Sequence, residues 1–279
     1  MSKPFFLFVH VPKTGGTTFR DAIVRCLGHR CTFDYGMFDF VKYSKADVRV
    51  AINQHPEYDG LCSHHLTLDL PFDESPRPFE AISIFRDPVK RVLSWFFAVK
   101  AGGSLVPRFR EMTINDFVRE EMVGGDHGFL RDGQLRHLMG DTGDDALARF
   151  KNVVARQNVL VIPLEALETG TALLEHKFPD SFPDLRWVHS NASKKDSTLD
   201  EGTRLLLHEH LAKDFEAHQI VVEIFKRKID QTENFHADSA LKDFRRRCEA
   251  RSVLEASRVT SVRRFLARGI RAVGNRVDL

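Results

Sequence analysis

With 279 residues, 42% of them hydrophobic, the chain holds enough material for one large α/β domain with extensions, and a single domain is expected rather than two small ones. Its formal net charge of +2 is unevenly spread: residues 241–279 carry 11 Lys/Arg against 4 Asp/Glu, so the tail is basic, the body is net acidic, and no nucleic-acid partner is expected. Four cysteines without a C-x-x-C pair argue against a zinc site or a disulfide framework, and no apolar run is long enough for a membrane span.

The first strand is entered by Phe5, which leaves no room for a signal peptide, so a cytoplasmic protein with reduced thiols is expected. The apolar run Phe5-Phe6-Leu7-Phe8-Val9 reads as a buried strand. The chain then meets Pro12, and a short polar loop with Gly15 and Gly16 opens onto a helix from Thr17 to Leu27. This is the grammar of an anion cradle. Small residues let the backbone approach an oxyanion, the first helix amides have no internal partner, and the helix dipole favours negative charge. Lys13 adds a point charge, while Thr14, Thr17 and Thr18 offer hydroxyl donors. A Walker A loop needs its lysine after the glycines; Lys13 precedes them, which weakens a nucleoside triphosphate reading.

Residues 28–55 mix aromatics, glycine and charge without clear periodicity, and read as a loop-rich excursion with a short helix near Lys45 to Asn53. A second strand is expected from Tyr58 to Ser63, leading into His64-His65, and a third from Phe79 to Arg86. Asp87 is the expected N-cap, and Pro88 the first position, of a helix that stops at Gly102-Gly103. Residues 104–150 read as helical with glycine-rich interruptions. A fourth strand follows at Val159 to Ile162, then a helix from Leu164 to Phe178, a loop from 179 to 197, and a long helix or helix pair from Leu199 to Lys228. Strands alternating with helices imply a parallel sheet, whose ligands bind beyond the carboxyl ends of the strands. Lys13, His64 and Arg86 all fall at such ends.

The P-K-T-G-G-T-T run from Pro12 to Thr18 resembles the phosphosulfate-binding loop of sulfotransferases that use 3′-phosphoadenosine 5′-phosphosulfate (PAPS), and more narrowly the carbohydrate branch with the heparan sulfate 2-O and 6-O enzymes. The R-D-P-x-x-R-x-x-S-x-F pattern from Arg86 to Phe96 is similar to that family's 3′-phosphate motif. The resemblance spans most of residues 4–226. It implies a P-loop-like three-layer α/β fold with a central parallel sheet flanked by helices. It also implies sulfuryl transfer from PAPS to a carbohydrate or glycoconjugate hydroxyl, with adenosine 3′,5′-bisphosphate (PAP) as product and no metal.

By position, Lys13, Thr14, Gly15, Gly16, Thr17 and Thr18 would hold the phosphosulfate, with Arg86 and Ser94 on the 3′-phosphate. A guanidinium fork suits a phosphate bidentately. Arg91, at helical spacing, fits either this motif or a solvated face. A family histidine after the second strand is the proposed general base, usually in a Gly-His context. Here Ser63-His64 stands in that place, so the glycine is replaced and His65 competes with His64. Lys13 would stabilise the leaving oxygen. Asp132 to Gly140 resembles a family N-x-Q-T-R-x-L-x-G segment, with leucine where threonine is usual; Gln134 and Arg136 either meet the acceptor or order the site. Lys194 and Lys195, in a segment similar to the family's N-x-S stretch, would contact phosphate, whereas Trp187 suits either stacking on adenine or, as the favoured reading, core packing.

A small-metabolite kinase and a non-catalytic nucleotide- or polyanion-binding protein are the competing classes. Residues 1–238 are expected to form the transferase domain and 239–279 a basic amphipathic helical extension. That extension suits peripheral contact with the inner face of a membrane, a polyanionic acceptor, self-association, or a helix folded back on the domain.

Overall fold

The computed structural model describes residues 3–34, 41–102, 107–124, 129–187 and 198–252. Five strands, β1 (Phe5–Val9), β2 (Cys31–Asp34), β3 (Gly60–Ser63), β4 (Phe79–Phe85) and β5 (Val159–Pro163), form one sheet in the order β2-β3-β1-β4-β5. Every pairing is parallel. Parallel sheets are covered on both faces, so their central strands carry apolar residues on both sides instead of alternating. β1 shows this: all five of its residues are at most 2% exposed. Each such side chain removed from water contributes about 1.5–3 kcal/mol.

The two faces have separate cores. Phe5, Leu7 and Val9, with Ala81, Val159 and Val161, pack against α2 (Lys45–Asn53), α5 (Gly133–Met139), α6 (Ala146–Ala155) and α9 (Ala212–Asp230). Phe6 and Phe8, with Cys62, Ile82, Ile84, Leu160 and Ile162, pack against α1 (Gly16–Leu27), α7 (Leu167–Lys177) and a helix over residues 237–252. The result is a three-layer α/β fold of the P-loop-like kind. A third cluster is built by α3 (Pro88–Gly102), α4 (Ile114–Arg119) and α8 (Glu201–His210).

Local chemistry explains several boundaries. Asp87 Oδ1 accepts from the Lys90 amide at 2.8 Å, which starts α3 as the Asp-Pro pair predicts. Ser44 and Asp47 form a reciprocal capping box at the start of α2. The 199–228 stretch is two helices, divided at Leu211.

One expectation is corrected: residues 28–55 are not only loop and helix, because Cys31–Asp34 is the edge strand β2. It is four residues long and leaves Phe33 61% exposed, so neither alternation nor an apolar run marks it. The helix over 237–252, the first part of the expected extension, buries Phe244 and Cys248 in the second core, with Trp187 edge-on to Phe244 at 5.0 Å. Residues 253–279 lie outside the described residues, as do Lys194 and Lys195. Among the described residues no helix is long and apolar enough to cross a membrane.

Candidate active site

The β1–α1 loop is built as a backbone cradle. Lys13 and Gly15 hold left-handed φ angles of 69° and 83°. A non-glycine residue pays strain in that region, which is commonest at ligand-binding turns. Helix α1 has no side-chain cap and no acidic residue in its first turn, so its leading amides keep the partial positive charge an anion seeks. Thr17 is exposed and Thr18 half-buried on that turn. Thr14 behaves differently from the expectation of a ligand-facing hydroxyl: it is fully buried, and its Oγ1 donates to the Val11 carbonyl at 2.8 Å. Thr14 therefore closes the turn with its side chain and has only backbone left to offer. Gly16 is fixed by contact, since a Cβ there would lie 2.3 Å from the His10 imidazole.

Arg86 stands at the tip of β4 and reaches the loop: its guanidinium donates to the Lys13 carbonyl at 3.1 Å. Burial lowers its pKa, and its Nε is buried with no hydrogen-bond partner among the described residues. Gln134 holds the Arg86 backbone from both ends. Its Oε1 accepts from the Arg86 amide at 2.9 Å, and its Nε2 donates to the Arg86 carbonyl at 2.8 Å. Gln134 is itself held in place by Asp214, which accepts from the amides of Gln134 and Leu135 at 3.1 and 2.8 Å. Asp214 is wholly buried, and that burial raises its pKa to about 6 against the pull of Arg91.

Arg91 is not a solvated face residue. It is 1% exposed, donates to the carbonyls of Pro12 at 3.2 Å and Phe129 at 3.3 Å, and lies 4.7 Å over the Phe129 ring. Desolvation lowers its pKa to about 10. It ties the cradle to the segment before α5, and Gly133 makes room for it. Ser94 is half-buried in α3. Of the two α5 residues singled out in the sequence, Gln134 orders Arg86, while Arg136 is exposed and donates to Thr142 at 3.0 Å.

At the tip of β3 the two adjacent histidines diverge. His65 bonds the Val41 carbonyl through Nδ1 at 2.7 Å and lies against Tyr43, with ring centres 5.7 Å apart. His64 turns to the cradle side, where its Nδ1 donates to the His10 carbonyl at 2.5 Å and its ring lies 4.4 Å from that of His10. A carbonyl only accepts, so Nδ1 carries the proton and Nε2 keeps the lone pair. Burial, with the charges of Lys42, His65 and Arg20, lowers the His64 pKa below its ordinary value despite the bond to His10.

Three neighbours that the sequence reading missed complete the cluster. His10 is buried against Phe8 and Gly16, with its pKa lowered to about 3, chiefly by desolvation. His137, on α5, is held well below the usual imidazole range by burial and by the nearby cations. Lys42 donates to the His64 carbonyl at 2.6 Å and lies 3.1 and 3.2 Å from the His137 ring nitrogens; burial lowers its pKa to about 8. His137 had a signal, because it sits one helical turn from Gln134 on the same buried face. Lys42 and the packing of His10 had none.

The structure thus brings Lys13, Gly15, Gly16, Arg86, His64 and His10 to one end of the sheet. Among the described residues, no group of three or more His, Cys, Asp or Glu side chains has the arrangement to hold a metal ion. No protein-family model matches the chain, and no curated protein matches it. Among solved structures, a sulfotransferase from Alicyclobacillus acidocaldarius is similar in 80% of this chain and 97% of its own, with 14% identity and a TM-score of 0.44.

Proposed function

We propose that the chain transfers the sulfuryl group of PAPS to a hydroxyl of a carbohydrate or glycoconjugate. The observation that carries this reading is the bond from Arg86 to the Lys13 carbonyl. It joins the residue matching a 3′-phosphate motif to the loop matching a phosphosulfate motif, as one nucleotide with anionic groups at both ends requires. The residues suit such a donor. The cradle has uncapped amides at α1 and a left-handed Gly15, and the buried Arg86 Nε still needs an acceptor. Lys13, Gly15 to Thr18 and the Thr14 backbone would hold the phosphosulfate end, and Arg86 and Ser94 the 3′-phosphate.

PAPS supplies an activated sulfur and a bisphosphate leaving group; the chain supplies positioning, charge and a base. His64 is the base. Its Nδ1 proton is fixed on the His10 carbonyl, and its lowered pKa keeps the ring neutral near pH 7, so Nε2 is ready to accept the acceptor's hydroxyl proton. Lys13 and the α1 amides stabilise the charge that gathers on the bridging oxygen, more in the transition state than before it. His65, bonded to Val41 on the other side of the strand tip, is less suited to this role.

Calorimetric titration with PAP and with AMP tests the reading, followed by radiolabel transfer from PAPS to a panel of glycans. PAP binding in the micromolar range, well ahead of AMP, together with label on a glycan, is the expected result. Equal affinity for the two nucleotides removes the 3′-phosphate assignment.

A further inference from the structure

Glu165 follows the tip of β5, next to Leu164, whose side chain lies close enough to Gly15 that a Cβ there would come within 2.7 Å. Two basic groups from two elements lie beside its carboxylate. Lys90 Nζ, from the first turn of α3, is 3.9 Å from Oε1, and His218 Nε2, from α9, is 3.6 Å from Oε2. Glu165 is also the strongest carboxylate influence on Arg86, opposing the fall that burial imposes on the guanidinium pKa.

None of these contacts is a hydrogen bond. Charge-assisted pairs close to about 2.7–2.9 Å when both partners are built for each other. Here both separations are longer, and two donors, Arg86 Nε and His218 Nε2, are buried with no hydrogen-bond partner among the described residues. A buried donor left unsatisfied costs about 1–3 kcal/mol, a cost that a ligand supplying the acceptor would remove. The carboxylate offsets the positive charge without coming within hydrogen-bond distance of Lys90 or His218. A phosphate, with three acceptor oxygens and a larger radius, has the valence to meet all of them.

We propose that Glu165 is an internal counter-anion for the subsite taken by the nucleotide's 3′-phosphate, and that Lys90 and His218 are two further residues that bind this phosphate. The inference rests on the reading of Arg86 given above. Phosphate entry turns Lys90, His218 and Arg86 toward the new oxygens, and Glu165, repelled by like charge, swings outward. Its side chain is already 41% exposed, so that path is open.

The test is titration of the full chain and of Lys90→Ala, His218→Asn and Glu165→Gln with PAP and with AMP, at low and at physiological salt. Lys90→Ala and His218→Asn are expected to weaken PAP binding about threefold to tenfold and to leave AMP unchanged. Glu165→Gln is expected to tighten PAP binding about threefold, more at low salt, again with AMP unchanged. Because this variant gains affinity, a folding defect cannot imitate the result. If the wild type prefers PAP while all three variants stay within about twofold of it, or shift both nucleotides equally, this inference fails alone. If the wild type shows no preference for PAP, the proposed function fails and this inference falls with it.

Discussion

The tips of β3 and β4 flank one loop and handle buried charge in opposite ways. At the β4 tip the cation is a guanidinium inside a bonded frame: Gln134 clamps the Arg86 backbone, Asp214 holds Gln134, and Arg91 ties Pro12 to Phe129. At the β3 tip His10, His64, His137 and Lys42 cluster, and burial lowers the pKa of all four, with repulsion from nearby positive groups adding to it for the three histidines. A guanidinium stays protonated whatever its surroundings, so one tip keeps a permanent charge in a fixed direction. Imidazoles buried beside other basic groups stay neutral, so the other tip keeps a proton acceptor. On the proposed function, binding and proton transfer are separated by the choice of residue on the two strands that flank β1.

The sharpest way to break this division is His64→Ala. A positioned general base is worth about 10²–10⁴ in rate, and the variant is expected to lose that much turnover while binding PAP as the wild type does. Retained turnover would move the role to His65. The converse is Arg86→Ala, expected to weaken PAP about 10- to 100-fold through loss of charged hydrogen bonds, with little change for AMP. Arg86→Lys should recover only part of that loss, since an ammonium lacks the planar fork. Full recovery in a titration would mean that point charge alone matters at the β4 tip.

What the sequence revealed follows how much of each feature is contiguous. The loop from Pro12 to Thr18 and the stretch from Arg86 to Phe96 are continuous, and their residue types state their chemistry, so both were legible together with four of the five strands. Arg91 was ambiguous because helical spacing does not distinguish a wet face from a wholly buried one. Gln134 was singled out, but its partner Asp214 lies 80 residues on, and only the packing of α9 beside α5 makes the pair. Lys42 is a lone lysine before a helix; its meaning depends on His64 and His137, 22 and 95 residues away. Edge strand β2 escaped because it is short and half wet.

A smaller effect is expected where cradle and base touch. Gly16→Ala would place a methyl 2.3 Å from the His10 ring, backed by Phe8 at 3.1 Å, so His10 must shift. Overpacking of this kind costs about 1–3 kcal/mol, to be read as a lower urea midpoint. Because His10 supplies the carbonyl that fixes the His64 tautomer, turnover should fall further than PAP affinity does. Equal losses in both would mean that the cradle alone is disturbed.

The smallest effect per step is in the acid response of stability. His10 titrates near 6.5 when unfolded and near 3 when folded, and His137 and His64 are lowered too. Below about pH 6.5 the unfolded chain takes up protons that the folded one refuses, so stability present above that pH is lost as pH falls toward 3. Asp214 acts with the opposite sign: raised from 3.8 to about 6, it holds a proton in the fold and favours it as pH drops through that window. Glu80 and Asp132 are raised as well, but the unfolded imidazoles take up protons near 6.5, above the Asp214 value of about 6, so the histidines respond first as pH falls from 7. Urea midpoints measured from pH 7 to pH 5 should fall with a slope of about 1.4 kcal/mol per pH unit for each uncompensated proton. His10→Asn should flatten that slope, and Asp214→Asn should steepen it. A slope indifferent to both would mean that the β3 tip holds its histidines in water, and the contrast between the two tips would dissolve.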